Sequence, residues 1–305
     1  MTSRSLSLVA AANAALLAVG FVFSAEAALG PNRDPRLQVL SARAQVRSGD
    51  DVLIGGLTIG GSTPKTVLFR AIGASLALNG TPLPGRLPDP TLALYAQSSG
   101  VLIAANDNWA DTQQSAIAAT GMAPTNGLDS AILVTLAPGS YTTVLSGKTG
   151  AAGIALVEAY DVTQNTDTSL GTLSARGFVQ PGDNVLIGGF KIAQRSSANE
   201  SYSVLVRAIG PSLARYNIAR PLLDPTLQVY DANGTLLASN DDWRDGPFPE
   251  IERGGFAPAD DREAVVLGAF APGAYTAIVR GKGDATGTAL VEIYDATVLN
   301  PPTGQ

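Results

Sequence analysis

The stretch Ala131-Ile-Leu-Val-Thr-Leu-Ala-Pro-Gly-Ser-Tyr-Thr-Thr-Val-Leu-Ser-Gly-Lys-Thr-Gly-Ala-Ala-Gly-Ile-Ala-Leu-Val-Glu-Ala-Tyr160 decides the fold. It holds three short apolar runs, Ala131–Leu136, Ser140–Ser146 and Gly153–Tyr160, with Pro138-Gly139 between the first two. Short runs rich in Val, Ile, Leu and Thr and bounded by Pro and Gly are strand signals. Working outward, the same signature predicts strands near Leu37–Val46, Val52–Ile59, Thr66–Ile72, Thr91–Tyr95 and Val101–Ala104. Ser48-Gly49-Asp50 and Ser99-Gly100 supply turn chemistry between them. Thr112–Thr120 is the one helix candidate, and it is short.

The pattern then repeats. Ser41-Ala42-Arg43 returns as Ser174-Ala175-Arg176, an offset of 176 − 43 = 133. Val52-Leu53-Ile54-Gly55-Gly56 returns as Val185-Leu186-Ile187-Gly188-Gly189, and Asp89-Pro90-Thr91-Leu92 as Asp224-Pro225-Thr226-Leu227. Ala137-Pro138-Gly139 returns as Ala271-Pro272-Gly273, and Ala155-Leu156-Val157-Glu158 as Ala289-Leu290-Val291-Glu292. A period of about 130 residues marks domains, because solenoid repeats run at roughly 20–50. The expected organisation is one unit at 37–163, a polar linker at 164–169, a second unit at 170–297 and a tail at 298–305. Eight or so strands per unit predict an all-β chain of two tandem jelly-roll-like β-sandwich domains.

Composition narrows function by exclusion. The chain of 305 residues has a net charge of −6 and no Lys/Arg-rich run, so a phosphate backbone would repel it. It has no Cys and no His, which removes disulfides, Cys-ligated zinc and His-dependent catalytic triads. Met1–Ala27 has the layout of a secretory signal: Arg4, an apolar core from Leu6 to Phe23, and Ala25-Glu26-Ala27 as a cleavage site. Cleavage would leave an extension over 28–36 and no membrane-inserted segment.

Alternation places Leu68, Arg70 and Ile72 on one face of their strand, and Ile154, Leu156, Glu158 and Tyr160 on one face of theirs. A charge on an apolar face needs a partner. Structural ion pairs Arg70–Glu158 and Arg207–Glu292 are therefore expected, with a ligand pocket at these groups as the other reading. The Gly55-Gly56, Gly60-Gly61 and Gly188-Gly189 pairs lie in or after strands with no helix following, which indicates close backbone approach and not a phosphate loop.

From Asp89 onward each unit resembles the bacterial pre-peptidase C-terminal domain. The matching elements are Asp89-Pro-Thr-Leu-Ala-Leu-Tyr95, Gly100-Val-Leu-Ile-Ala-Ala-Asn-Asp107, Leu136-Ala-Pro-Gly-Ser-Tyr141 and Glu158-Ala-Tyr-Asp161. The second copy matches through Asp224–Asp231, Asn233–Asp242 and Phe270–Tyr275. The resemblance covers about half of each unit. It implies a jelly-roll-like sandwich, an accessory role and, in some members, a bound calcium ion. Asp89, Asn106, Asp107, Asn108 and Asp111 offer oxygens for such an ion, as do Asp224, Asn240, Asp241, Asp242 and Asp245. The competing reading is an Asx-rich turn whose side chains bond their own backbone.

Three functions from different classes follow. The first is a secreted, non-enzymatic structural or adhesive module of the cell surface or matrix that binds a surface component or itself. The second is a carbohydrate-binding accessory protein, calcium-stabilised, for which Trp109, Trp243, Tyr216, Phe248 and Phe256 are the candidate aromatics. The third is an enzyme, which would have to use a carboxylate pair such as Asp107 and Asp111.

Overall fold

A computed structural model of the chain describes residues 37–162, 168–194, 201–246 and 248–296. The expected signal over 1–27, the extension over 28–36, most of the linker and the tail lie outside these residues. The first half contributes β1 (Leu37–Val46), β2 (Leu53–Gly61), β3 (Lys65–Ile72), β4 (Pro90–Ala96), β5 (Val101–Asn106), β6 (Ser130–Leu136), β7 (Gly139–Gly147) and β8 (Gly153–Asp161). The second half repeats them as β9 (Thr168–Val179), β10 (Leu186–Ile192), β11 (Tyr202–Ile209), β12 (Pro225–Asp231), β13 (Leu236–Asn240), β14 (Ala264–Phe270), β15 (Gly273–Gly281) and β16 (Gly287–Asp295). A two-residue-strand hairpin, Ala77–Leu78 with Thr81–Pro82, short α-helices at Gln114–Ala119 and Phe248–Arg253, and short 3-10 helices, the longest at Pro211–Tyr216, join these strands. The fold is all-β and sandwich-like, with antiparallel pairing between its strands.

Within each half the strands divide into two groups of four. One is β6-β3-β8-β1 and the other β2-β7-β4-β5; β14-β11-β16-β9 and β10-β15-β12-β13 match them. The inward side chains form one continuous core that includes Val67, Phe69, Leu94, Leu145 and Val157 of the first half and Val204, Val206, Val229, Val279 and Val291 of the second. Alternation supplies these residues, since every second side chain of each strand points inward.

The halves are not separately wrapped. Strand β1 pairs with β8 of its own half and also with β10 of the other, with Ser41 opposite Gly189 and Ala42 opposite Gly188. Reciprocally, β9 pairs with β16 and with β2, placing Ser174 opposite Gly56 and Ala175 opposite Gly55. Both layers thus become eight-stranded sheets that run through the whole molecule. Gln45 lies opposite Phe178, its own counterpart at 45 + 133 = 178, as an approximate two-fold axis between the halves requires. Of the expected linker, Thr168 and Ser169 already belong to β9.

This join explains two of the repeated motifs. A Cβ on Gly189 would sit 2.4 Å from the Ser41 hydroxyl oxygen, and one on Gly177 would sit 2.6 Å from the Ala44 Cβ. Neither spacing is open to a larger residue, so close approach of the backbones is what these glycines provide. The repeated arginines tie each half to the other's first turn: Arg43 donates to the Asp183 carbonyl at 3.3 Å and Arg176 to the Asp50 carbonyl at 3.2 Å.

Candidate functional site

The Arg70 and Glu158 strands are adjacent, and the two residues are direct cross-strand partners; so are Arg207 and Glu292. Their shared face is the outer side of the sheet, not the sandwich interior. Val67, Phe69 and Ala71 point into the main core, while Leu68 packs outward with Ile117, Ala131, Trp109 and Tyr160. The excursion between β5 and β6 folds back as a cover over this side, and the second half does the same with Trp243, Ile251 and Phe256. The apolar face that alternation picks out is this outer one, because a second small core lies on the sheet's back.

Arg70 Nε and Nη2 donate to Glu158 Oε2 at 2.9 and 2.5 Å, and the Tyr160 hydroxyl donates to Oε1 at 2.6 Å. Arg70 Nη1 donates to the Met122 carbonyl of the cover at 2.7 Å, and the guanidinium lies 4.8 Å from the Tyr160 ring centre. Arg207, Glu292 and Tyr294 repeat the arrangement with bonds of 2.8, 2.6 and 2.7 Å, and Arg207 Nη1 reaches the Phe256 carbonyl at 2.8 Å. The second cluster is the drier one, with side-chain exposures of 8% and 0% for Arg207 and Glu292 against 17% and 10% for Arg70 and Glu158. Burial pushes the Tyr160 hydroxyl pKa well up, and the Glu158 carboxylate adds to it. Burial opposes the Arg207 charge, but Glu292 and Tyr294 outweigh it and hold the guanidinium pKa above its ordinary value. Every strong donor and acceptor here is used internally, so these groups lock the cover onto the sheet.

The acidic loops carry a cation of their own. Lys148 Nζ lies 2.6 Å from Asp107 Oδ2 and 3.5 Å from Asp89 Oδ2. Lys282 Nζ lies 2.5 Å from Asp241 Oδ2 and 3.8 Å from Asp224 Oδ2. The bonds to Asp107 and Asp241 raise the pKa of the two lysines, while burial raises that of Asp224. Asn106 spends both ends of its amide on backbone, accepting from Ala131 N of β6 at 2.9 Å and donating to the Asn108 carbonyl of the loop at 3.0 Å. Asn240 does the same with Val265 N at 2.7 Å and the Asp242 carbonyl at 2.9 Å. Asp111 accepts from Asn108 Nδ2 at 3.1 Å, and Asp245 N closes a turn on the Asp242 carbonyl at 3.0 Å. A lysine ammonium stands between the carboxylates and the Asn106 and Asn240 oxygens are already bonded, whereas among the described residues Asp89 Oδ1, Asp107 Oδ1, Asn108 Oδ1, Asp224 Oδ1 and Asp241 Oδ1 are buried with no hydrogen-bond partner. The Asn106 and Asn240 bonds to the Asn108 and Asp242 carbonyls are those of an Asx-rich turn.

Sequence reasoning missed Lys148 and Lys282, although Gly147-Lys148 returns as Gly281-Lys282. It also missed two fully buried acids in matching places. Asp129 accepts from Gly73 N at 2.9 Å and from Ser75 N at 3.3 Å, and Glu263 accepts from Gly210 N and Ser212 N at 3.0 Å each.

The halves also differ beside the acidic loops. A cavity of about 600 Å³ lies in the first half, lined in part by Arg47, Asp50, Thr91, Tyr95, Val144 and Ser146. At Ser146 the second half has Arg280, whose Nη1 donates to the Gly182 carbonyl at 2.8 Å and so spans from the strand to the turn. Serine cannot reach across. Of the candidate platform aromatics, Trp243 and Phe256 are fully buried and Trp109 and Tyr216 are partly buried; the side chain of Phe248 lies outside the description.

No family model matches the chain, and no curated protein matches it. Among solved structures, a DUF4785 family protein from Legionella pneumophila is 10% identical with a TM-score of 0.22, the match covering 88% of this chain and 66% of that one. Hazelnut (Corylus avellana) vicilin is 6% identical with a TM-score of 0.17, covering 87% and 84%. Oxalate decarboxylase from Bacillus subtilis is 8% identical with a TM-score of 0.15, covering 86% and 74%. At these TM-scores the likenesses carry no argument about fold or function.

Proposed function

We propose that the chain is an exported, non-enzymatic structural or adhesive module of the cell surface or extracellular matrix. The observation that carries this reading is where its polar chemistry goes. The lysine–aspartate and arginine–glutamate–tyrosine groups are spent on holding loops to sheets. What remains outward is a rigid double sheet with uncharged apolar ends. The export layout of residues 1–27 and the resemblance to an accessory domain of secreted proteins point the same way. Fractionation of the producing cells, with protease added to intact cells, tests the proposal: the protein should sit in the surface or matrix fraction and be accessible to protease. Recovery from the cytoplasm in a full-length form would overturn it.

A carbohydrate-binding reading rests on a single feature, the cavity of the first half with Tyr95 in its wall. It predicts glycan-array binding that is lost in Ser146→Arg, which would rebuild the crossing seen in the second half. Burial of Trp243 and Phe256 removes two of the five aromatics on which that reading first stood.

A further inference from the structure

The geometry points to β5 and β13 as the edges through which copies of this chain pair with one another, building open chains of molecules by continued sheet. The inference rests on the structural reading above and names its partner, a second copy, and its surface.

Each eight-stranded sheet has two ends. One sheet runs from β6 to β13, the other from β14 to β5. The β6 end is capped: the Gln113 amide donates to the Leu133 carbonyl at 2.8 Å and accepts from Leu133 N at 3.0 Å, acting as a stub of strand, and Asn106 takes Ala131 N. At the β14 end Asn240 takes Val265 N. Strands β5 and β13 have no comparable cover; the Ser99 hydroxyl takes Val101 N at 3.4 Å at the very start of β5. Among the described residues no backbone group beyond the sheet bonds their outer edges.

Their side chains are the molecule's main exposed apolar surface. Val101, Leu102, Ile103, Leu236 and Leu237 are 38–59% exposed and make up five of the eight exposed large hydrophobic residues described. Gln97–Asn106 and Ala232–Asn240 contain no charge. Proteins that keep sheet edges monomeric place lysine, proline or inward charge there, and neither strand has any of these. Each carries a bulge, at Ile103 and at Leu237, which bends the edge but leaves the flanking ladder regular.

A second copy is the occupant because this sequence already associates with itself in this manner. The halves join by antiparallel edge pairing, β1 to β10 and β9 to β2, on both sheets at once. That join uses up one pair of edges per half. The duplicated β5 and β13 edges then leave the molecule with two equivalent apolar edges, one per half, and two sticky ends of that kind give open chains instead of closed dimers.

Sedimentation of the whole chain, and in parallel of a chain starting at Ala28 to remove any association through the apolar 6–23 run, tests the inference over a hundredfold concentration range. The expected result is a ladder of species that grows with concentration in both. Leu102→Lys with Leu237→Lys should collapse it to monomer with an unchanged melting temperature, since both side chains point largely to solvent. Leu102→Lys alone separates like-with-like pairing, which leaves a dimer through β13, from β5–β13 pairing, which leaves a monomer; either supports edge pairing. A monomeric wild-type chain, or a ladder untouched by the double substitution, overturns it. A monomer found at the cell surface would sink the edge inference and leave the structural reading standing, whereas edge-dependent assembly of a cytoplasmic protein would do the reverse.

Discussion

Replacing Glu292 by glutamine keeps the volume of the side chain and removes its charge beneath the cover of the second half. Glu292 accepts from Arg207 Nε at 2.8 Å and from the Tyr294 hydroxyl at 2.7 Å, and pairs ionically with Arg207 Nη2 at 2.6 Å, with a side-chain exposure of 0%. Glutamine retains one acceptor oxygen and turns an NH2 toward a group that can only donate or toward a hydroxyl proton. At least one charge-assisted bond is lost, and a guanidinium that is 8% exposed keeps its charge without a counterion. Removing one partner of a buried pair costs about 3–5 kcal/mol. For a chain of this size that corresponds to a fall in melting temperature of roughly 5 °C at the lower bound. Glu158→Gln in the first half should cost less, about 1–3 kcal/mol, because water reaches that cluster. The double change Arg207→Met with Glu292→Leu should recover most of the loss, since an apolar pair of similar volume has no desolvation to offset. Urea unfolding followed by tryptophan fluorescence measures all three variants against the wild type. A cost under about 1 kcal/mol for Glu292→Gln, or a larger cost for Glu158→Gln, would refute the assignment of these groups as buried locks.

Excess calcium and chelator should leave the melting temperature of the wild-type chain unchanged, because Lys148 and Lys282 already stand between the loop carboxylates; a calcium-dependent rise would show that the ammonium groups give way to the ion. Gly189→Ala should destabilise the join by about 1–3 kcal/mol through contact with the Ser41 hydroxyl, and Ser41→Ala should restore stability, since the remaining Cβ would be 3.8 Å away; failure of rescue in thermal melts would place the strain elsewhere. The raised pKa of Tyr160 favours its protonated form in the folded state, so its contribution is complete below the ordinary tyrosine value of 10.0 and is lost as pH rises above it. Tyr160→Phe should therefore flatten the alkaline fall in stability measured between pH 9 and 12.

Strand positions were legible because turn residues bound every apolar run. Leu37–Val46 matches β1 at both ends; the other predicted strands of the first half grow by one or two residues at an end, except that β2 begins at Leu53 and not at Val52. The arginine–glutamate partners were legible from alternation alone. What alternation cannot encode is which strand lies beside an edge. The pairing of β1 with β10 depends on small residues at Ser41, Ala42, Gly188 and Gly189 meeting across halves, and repetition announced those residues without saying what they meet. Lys148 escaped notice because its partners lie 41 and 59 residues earlier (148 − 107 and 148 − 89), joined only once β4, β5 and β7 stand side by side. Gln113 was invisible for a different reason: a side-chain amide standing in for a strand leaves no periodic trace.

The shared sheets also set an order of events as the chain is made. When Asp161 has emerged, the first eight strands are all present, yet β1 and β2 both lie bare along one side. They stay bare until β9 and β10 arrive, the next two strands to be synthesised. Two nascent chains close together offer each other the same complementary strands at that moment. The short interval before Ile192 is thus the one in which newly made molecules can interlock with the wrong partner, and the near-immediate return of the sequence to its own opening motif keeps that interval brief.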